Sequence, residues 1–216
     1  NNVTELNNES IELDLNKEII VSDNDDSYLF KDYQNEIIDD EDYIMNNIEA
    51  KIIDFGNSEF ANNKIQDEIC ARCYRPPENF MNSFFNEKAD MWSLGCLIYE
   101  FLTGDVLFEI EYTDDSIERD ILYLAEITKL LGKIPKSIAL KSEYSEDLFD
   151  RNGCLLNFEN LDKMHYISDT LISKFNYKSN CARELEDFIN NFLTIKYVDR
   201  ISAEQALKLD WFKKIN

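Results

Sequence analysis

Residues 87–103 constrain the fold more than any other stretch, because their apolar side chains recur on nearly every side of one helix. The apolar members are Met91, Trp92, Leu94, Cys96, Leu97, Ile98, Phe101 and Leu102. A helix that is apolar all round is buried at the centre of its domain, and Gly104 supplies a C-terminal cap. The sequence therefore predicts a mainly helical lobe around this helix.

Shorter patterns predict the other elements of this lobe. The further helices are 117–131, which Gly132 and Pro135 end, 161–175, 183–194, and a last helix to about Lys208 that a capping box of Ser202 and Gln205 opens. Ala50–Ile53 predicts a short strand, and residues 57–86 predict an ordered loop. We therefore expect one domain at 49–216, mainly α-helical with a short strand at its start.

Residues 1–48 have a different composition, in which runs of Asn, Asp and Glu leave few apolar side chains at any period. Such a segment buries too little surface to offset the entropy lost on ordering. The chain carries 44 acidic and 22 basic residues, and residues 1–50 hold 15 of the acids with two lysines, hence −13 of the net −22. We predict an acidic, Asn/Asp/Glu-rich linker or spacer at 1–48 that is largely disordered.

Charge and composition also limit the partners and the compartment. A net charge of −22 repels phosphates, which excludes direct binding of nucleic acid and favours basic peptides. The sequence holds no run of about 18 apolar residues, so it predicts no membrane-spanning helix. Five cysteines without disulfide-like spacing, and no signal peptide, predict an intracellular location in the cytoplasm and/or nucleus.

Asp54, Phe55 and Gly56 follow the predicted strand and place a carboxylate at its exit. The turn allows the Asp54 carboxylate to reach a hard cation such as Mg²⁺, which phosphoryl transfer from ATP needs to neutralise phosphate charge. The tripeptide alone is also compatible with a simple strand-to-turn exit. Further short motifs follow in order and at suitable distances, and together they favour the metal-binding role over a simple turn. They are Pro77 with Glu78, Asp90–Gly95 at the start of the central helix, Arg200, and Leu209–Phe212.

Taken together, these residues resemble the C-terminal half of a eukaryotic-type protein kinase of the CMGC group. Within that group the chain is most similar to the SR-protein kinases, with the CLK and DYRK families as related alternatives. The resemblance covers about residues 50–216 and is carried by Asp54–Asn57, Ala71–Glu78, Thr103–Glu109, Leu130–Pro135 and Tyr144–Phe149. It implies the α+β protein-kinase-like fold, with this chain supplying the C-lobe and the N-lobe absent.

The resemblance implies a role for each matching residue. Asp54 would be the Mg²⁺ ligand, and Asp90 would support the catalytic loop by accepting its backbone N–H groups. Glu78 and Arg200 would form a buried ion pair that ties the activation segment to the lobe. The residues assigned to the activation segment and substrate loop are Phe55, Gly56, Arg72, Tyr74 and Arg75.

Three elements of the family pattern are missing from the sequence. No arginine precedes Arg72 and the one histidine is His165, so no His-Arg-Asp catalytic loop is present. There is also no Gly-rich loop, and neither Lys17 nor Lys31 lies in a Val-Ala-x-Lys context. We expect no catalytic residue in this chain, no tight binding of ATP or Mg²⁺, and no kinase activity without an N-lobe partner.

Substrate docking is a further expectation from the resemblance, since SR-protein kinases bind Arg/Ser-rich peptides through acids in a groove. Asp105 matches one of these acids, whereas the two other acidic positions fall on Leu122 and Lys129. The acids nearby that could substitute are Asp114, Asp115, Glu118 and Asp120, and Lys163 falls near a docking lysine. A solvated acidic face is the open alternative.

Two functions from different classes remain open. The first is part of a serine/threonine kinase that transfers the ATP γ-phosphate to Ser in basic, Arg/Ser-rich proteins. The second is a degenerate kinase lobe that recruits basic partners without catalysis. The retained Asp54 favours the first, because a scaffold has no need of a metal ligand.

Overall fold

The computed structural model describes residues 50–60, 68–158 and 161–213. The chain divides into two units, Asn1–Asp54 and Phe55–Asn216, and each is described by itself. Residues 50–54 are the described part of the first unit, so the predicted acidic linker at 1–48 lies outside the described residues.

The second unit is built from helices joined by loops. The α-helices are α1 Pro77–Phe80, α2 Lys88–Thr103, α3 Ser116–Leu131, α4 Lys136–Ala139, α5 Ser145–Leu148, α6 Ile167–Ser173, α7 Ser179–Asn190, α8 Ala203–Ala206 and α9 Asp210–Lys213. Within 50–60 and 68–76, two 3₁₀ turns precede them, at Phe55–Asn57 and Arg72–Tyr74. Among the described residues, no helix is both long enough and apolar enough to cross a membrane.

Helix α2 lies against the 3₁₀ turn Arg72–Tyr74 and against α7, with Trp92 and Cys96 buried in the main core. It ends where Gly104 adopts φ 77°, a left-handed conformation that glycine accepts without steric cost, and donates its N–H to Glu100 O at 2.7 Å. The prediction of burial on every side is wrong, since Leu94 is 40% and Phe101 78% exposed. The neighbouring elements cover the Trp92 face and leave Phe101 open to solvent.

Gly95 allows α2 to approach the segment that follows α7. A Cβ atom at this position would lie 2.8 Å from Phe192 Cβ and 3.0 Å from Leu193 Cδ2, closer than real side chains pack. Glycine fits here because the side chains of Phe192 and Leu193 occupy the space that a Cβ atom would need. Phe192 belongs to a second apolar cluster, formed with Met91, Phe188 and Ala206.

Helix α3 has the bounds that its capping residues dictate. The Asp115 carboxylate accepts the N–H groups of Ile117 at 2.8 Å and Glu118 at 3.0 Å, which satisfies two free donors of the first turn. The helix stops at Gly132, which has φ 91°. Its apolar face packs on α1 and α5 and buries Ile121, Leu124 and Ile127 in the main core.

The structure corrects four of the sequence-based predictions. Ala50–Ile53 form no strand, because a strand needs a neighbour for its ladder hydrogen bonds and the described residues contain none. Residues 161–166 are not helical, since the N–H groups of Met164 and His165 donate to Lys129 O instead of to their own turn. The helix expected at 183–194 runs earlier, over Ser179–Asn190. The last predicted helix, expected to reach about Lys208, is α8 and ends at Ala206, and α9 is a further helix beyond it.

Candidate functional site

Arg75 holds the loop that precedes α1 in one conformation. Its side chain is buried, and it donates from Nε to Ile69 O at 3.1 Å and from Nη2 to Cys70 O at 3.2 Å. The same Nη2 lies 3.3 Å from the Glu68 carboxylate, and the guanidinium lies over the Phe80 ring. One side chain thereby satisfies two carbonyls of the loop and defines its backbone path.

Arg72 joins this loop to α3. Its Nε donates to Asp120 Oδ1 at 3.0 Å, across 48 residues of chain. Partial burial raises the pKa of the Asp120 carboxyl, and the Arg72 hydrogen bond counteracts that rise by favouring the charged form. Asp120 was expected to be one of the substitute docking acids, but here it serves as the anchor of the loop.

Tyr74 joins the loop to α2 through two hydrogen bonds. The Tyr74 hydroxyl donates to Glu100 Oε2 at 2.6 Å, and the Ser93 hydroxyl donates to Tyr74 O at 2.9 Å. The hydrogen bond to Glu100 raises the pKa of Tyr74 from 10.0 to about 12, because ionisation would remove the donor and place two negative charges together. The 3₁₀ turn Arg72–Tyr74 is thus tied to two separate helices.

The Tyr74–Glu100 hydrogen bond predicts a pH dependence. Because the folded pKa of Tyr74 lies above its unfolded value, the stabilisation is fully present below pH 10 and is lost as the pH rises toward about 12. We expect Glu100→Ala to return the Tyr74 pKa toward 10.0. The phenolate absorbance of the chain, minus that of a Tyr74→Phe variant, isolates this titration.

Glu111→Ala is the matched control, since Glu111 is an exposed carboxylate. It should leave the Tyr74 titration unchanged. If Glu100→Ala also leaves the high-pH titration in place, the hydrogen bond does not set the pKa of Tyr74.

Glu78 and Arg200 meet in a buried, two-pronged ion pair. Arg200 Nη1 and Nη2 donate to the two Glu78 oxygens at 2.8 and 2.9 Å. Arg200 is 0% exposed and Glu78 is 2% exposed. The remaining donors of Arg200 bind Thr194 O at 3.0 Å and Lys88 O at 2.9 Å. The pair therefore fixes the start of α1 to the start of α2 and to the segment after α7.

The other predicted site residues make none of the hydrogen bonds described above. Asp54 belongs to the first unit, is exposed, and has φ 63°. Phe55 and Gly56 are exposed in the first 3₁₀ turn of the second unit. Partial burial raises the pKa of the Asp90 carboxyl, which accepts no hydrogen bond from any residue in the described ranges.

The predicted docking acids are each engaged differently. Asp105 pairs with Lys174 at 2.5 Å, which the sequence had not singled out. Asp115 caps α3, and Glu118 accepts the Thr113 hydroxyl at 2.5 Å. Asp114 is exposed, and Lys163 Nζ lies 4.1 Å from the centroid of the Tyr166 ring.

Comparison with known proteins supplies the class. The family model described as "Protein kinase domain" matches residues 33–212. The chain therefore belongs to the protein kinase domain family, and its kinase-like fold follows from that membership.

Its relatives include serine/threonine kinases and a kinase named for SRSF proteins. Serine/threonine-protein kinase spk-1 of Caenorhabditis briggsae is 36% identical over 161 residues, which are 74% of this chain and 14% of that protein. Protein kinase dsk1 of Schizosaccharomyces pombe is 32% identical over 168 residues, 78% of this chain and 30% of that protein. Human SRSF protein kinase 3 is 32% identical over 164 residues, which are 76% of this chain and 29% of that protein. The similarity to the SR-protein kinases within the CMGC group is confirmed, and the chain spans 14–30% of the length of these relatives.

Proposed function

We propose that this chain is the substrate-binding part of a serine/threonine kinase that phosphorylates Ser in basic, Arg/Ser-rich proteins. The observation that carries the proposal is the loop from Glu68 to Glu78. Arg75 closes this loop internally, while Arg72, Tyr74 and Glu78 bind α3, α2 and Arg200. A loop held at four points positions a substrate backbone without reorganisation on binding, which is what a transfer reaction requires.

The residues present fit one half of a metal-dependent phosphoryl-transfer site. Asp54 offers an exposed carboxylate of the kind that Mg²⁺ prefers, at a sharp turn with positive φ. The described ranges contain no group of three or more acidic, His or Cys side chains that could hold a metal. Bound Mg²⁺ and ATP would supply charge neutralisation and the phosphoryl group. Holding them requires ligands outside this set, and we propose that an N-lobe and catalytic loop provide them.

Recognition of arginine-rich substrates follows from charge and from the Asp105–Lys174 pair. Both side chains are exposed, at 43% and 63%, and an exposed pair of this kind contributes only about 0–1 kcal/mol. A substrate guanidinium binds a carboxylate with two parallel hydrogen bonds, which lysine does not form. We therefore propose that substrate arginine displaces Lys174 from Asp105, with Asp114 and Glu118 exposed nearby in the sequence.

A transfer assay with two proteins tests the proposal. The first is this chain alone, which we expect to transfer no γ-phosphate to an Arg/Ser peptide. The second is dsk1 with its matching segment replaced by residues 50–216, which we expect to be active. Asp54→Asn in that chimera should lower the rate at least about 100-fold, because a metal contact supplies several kcal/mol of charge stabilisation.

The matched control for this experiment is Asp187→Asn, the same isosteric change at an exposed site on α7. It should leave the chimera's rate unchanged. Turnover by the isolated chain would contradict the proposed dependence on an N-lobe. An active chimera that tolerates Asp54→Asn would contradict the role of Asp54.

The binding module without catalysis remains the second candidate, and the exposed Phe101 and Leu94 on α2 favour it. Such apolar side chains on a charged lobe mark an interaction surface, which in the kinase proposal meets the rest of the kinase domain. An inactive chimera that still retains Arg/Ser peptide through Asp105 would favour the module.

A further inference from the structure

A cavity of about 350 Å³ lies where the end of α3, the segment before α6 and the segment after α7 come together. It is separate from the loop of Glu68–Glu78. The polar side chains that line it are Lys133, Lys163, Lys196, Asn190, Thr194 and Asp199, and the remaining wall is mainly apolar. The cavity is wide open to solvent, and its few polar side chains are available to orient a small polar ligand.

The charge of this cavity runs against that of the chain. Acidic residues outnumber basic ones by 44 to 22, yet three lysines and one acidic residue, Asp199, line the cavity. Lys163 and Lys196 have no carboxylate within 4.0 Å in the described part of the chain, and Lys133 has only the exposed Asp162 at 3.6 Å. Three lysines against one aspartate leave the lining with a net positive charge, which attracts anions.

The wall of the cavity is fixed by contacts described above. Thr194 O accepts from Arg200 Nε, so the segment that carries Thr194 and Lys196 is bound to the buried ion pair. On the other side, Met164 N donates to Lys129 O at 2.7 Å and holds the Lys163 segment against the end of α3. The backbones that carry Lys163 and Lys196 therefore belong to a rigid frame.

We infer that this cavity binds a phosphate monoester, such as the side chain of a phosphoserine, which would draw the Lys163 ammonium from the Tyr166 ring and the Lys133 ammonium from Asp162. Three lysines and the Thr194 hydroxyl supply charge-assisted and neutral donors for its oxygens, and the apolar wall contacts the carbon to which the phosphate is attached. Three lysines and Asp199 leave the lining with a net positive charge. A phosphate dianion is attracted about twice as strongly by this charge as a ligand carboxylate, which carries a single negative charge. We therefore expect phosphate to be preferred. This inference rests on the cavity and not on the proposed transfer activity.

Phosphorus NMR of the full 216-residue chain tests the inference. The probes are a capped phosphoserine peptide, the same peptide with unmodified serine or with glutamate, and inorganic phosphate. We expect saturable line broadening of the phosphorus signal both for the phosphoserine peptide and for inorganic phosphate. Comparing these two probes tells whether the peptide or only the phosphate ion is recognised. In competition, the serine and glutamate peptides should displace neither phosphate at equal concentration.

A double variant with Lys163→Gln and Lys196→Gln should bind both phosphates at least about tenfold more weakly, which corresponds to about 1.4 kcal/mol. The matched control is Lys141→Gln with Lys178→Gln, which removes two exposed lysines outside the cavity and the same net charge. Equal weakening by both double variants would show a response to overall charge and would overturn the inference. So would the lack of saturable broadening with the unaltered chain.

Discussion

Replacing Arg200 with methionine is expected to lower the free energy of unfolding by about 3–5 kcal/mol, because it leaves the Glu78 carboxylate buried without its partner. Glu78 is 2% exposed and receives both guanidinium prongs at 2.8 and 2.9 Å. A loss of this size is a large share of the about 5–15 kcal/mol that stabilises a typical domain. Urea denaturation followed by circular dichroism measures it.

The exposed pair of Lys208 and Glu204 provides the control, since Lys208→Met removes the same kind of charge from a pair on the surface. We expect that variant to change the free energy of unfolding by less than about 1 kcal/mol. A double variant with Glu78→Leu and Arg200→Met should be more stable than Arg200→Met alone, because no charge is then left buried. Equal losses for Arg200→Met and Lys208→Met would contradict the role assigned to burial.

Trp92→Ala is expected to lower the free energy of unfolding by about 3–5 kcal/mol, because it opens a cavity in the core. The Trp92 side chain is 0% exposed, its ring stacks on Phe108 with centroids 5.8 Å apart, and the Arg200 guanidinium lies 5.1 Å from the ring centroid. The substitution therefore removes contacts in the core and beside the ion pair together.

Trp92→Phe is the informative comparison for this site. Trp92 Nε1 is buried and has no hydrogen-bond partner among the described residues, and such a donor costs about 1–3 kcal/mol. Phenylalanine keeps an aromatic face toward Phe108 and removes that donor, so we expect a loss of less than about 1.5 kcal/mol. If phenylalanine is as costly as alanine, Nε1 contributes a hydrogen bond that stabilises the fold.

The sequence predicted those parts of the fold that depend on local chemistry. The bounds of α2 and α3 follow from Gly104, Asp115 and Gly132, because caps and left-handed turns act on their own helix ends. The segment at 161–166 was predicted wrongly for the converse reason. Its N–H groups bind Lys129 O, a partner more than 30 positions away that no local pattern reports.

The candidate site shows the same difference between what local sequence predicts and what long-range packing decides. Motif spacing singled out Arg72, Tyr74, Arg75, Glu78 and Arg200, and the structure brings Glu78 and Arg200 into contact. Spacing did not reveal that Asp120 and Glu100 bind Arg72 and Tyr74, or that Lys174 occupies Asp105. These partners are ordinary charged residues on helix surfaces, and only the packing of the helices decides which of them meet.

The separation of 122 residues between Glu78 and Arg200 has a consequence for biosynthesis. Translation at about 5–20 residues per second takes on the order of 6–25 seconds to reach Arg200 after Glu78 has been made. During that interval Glu78 has no guanidinium partner, and burial of an unpaired carboxylate is unfavourable. The carboxylate of the nascent chain therefore stays hydrated. The Glu78 end of the loop therefore acquires its buried partner only when the C-terminal segment emerges, which makes burial of this carboxylate a late step in folding.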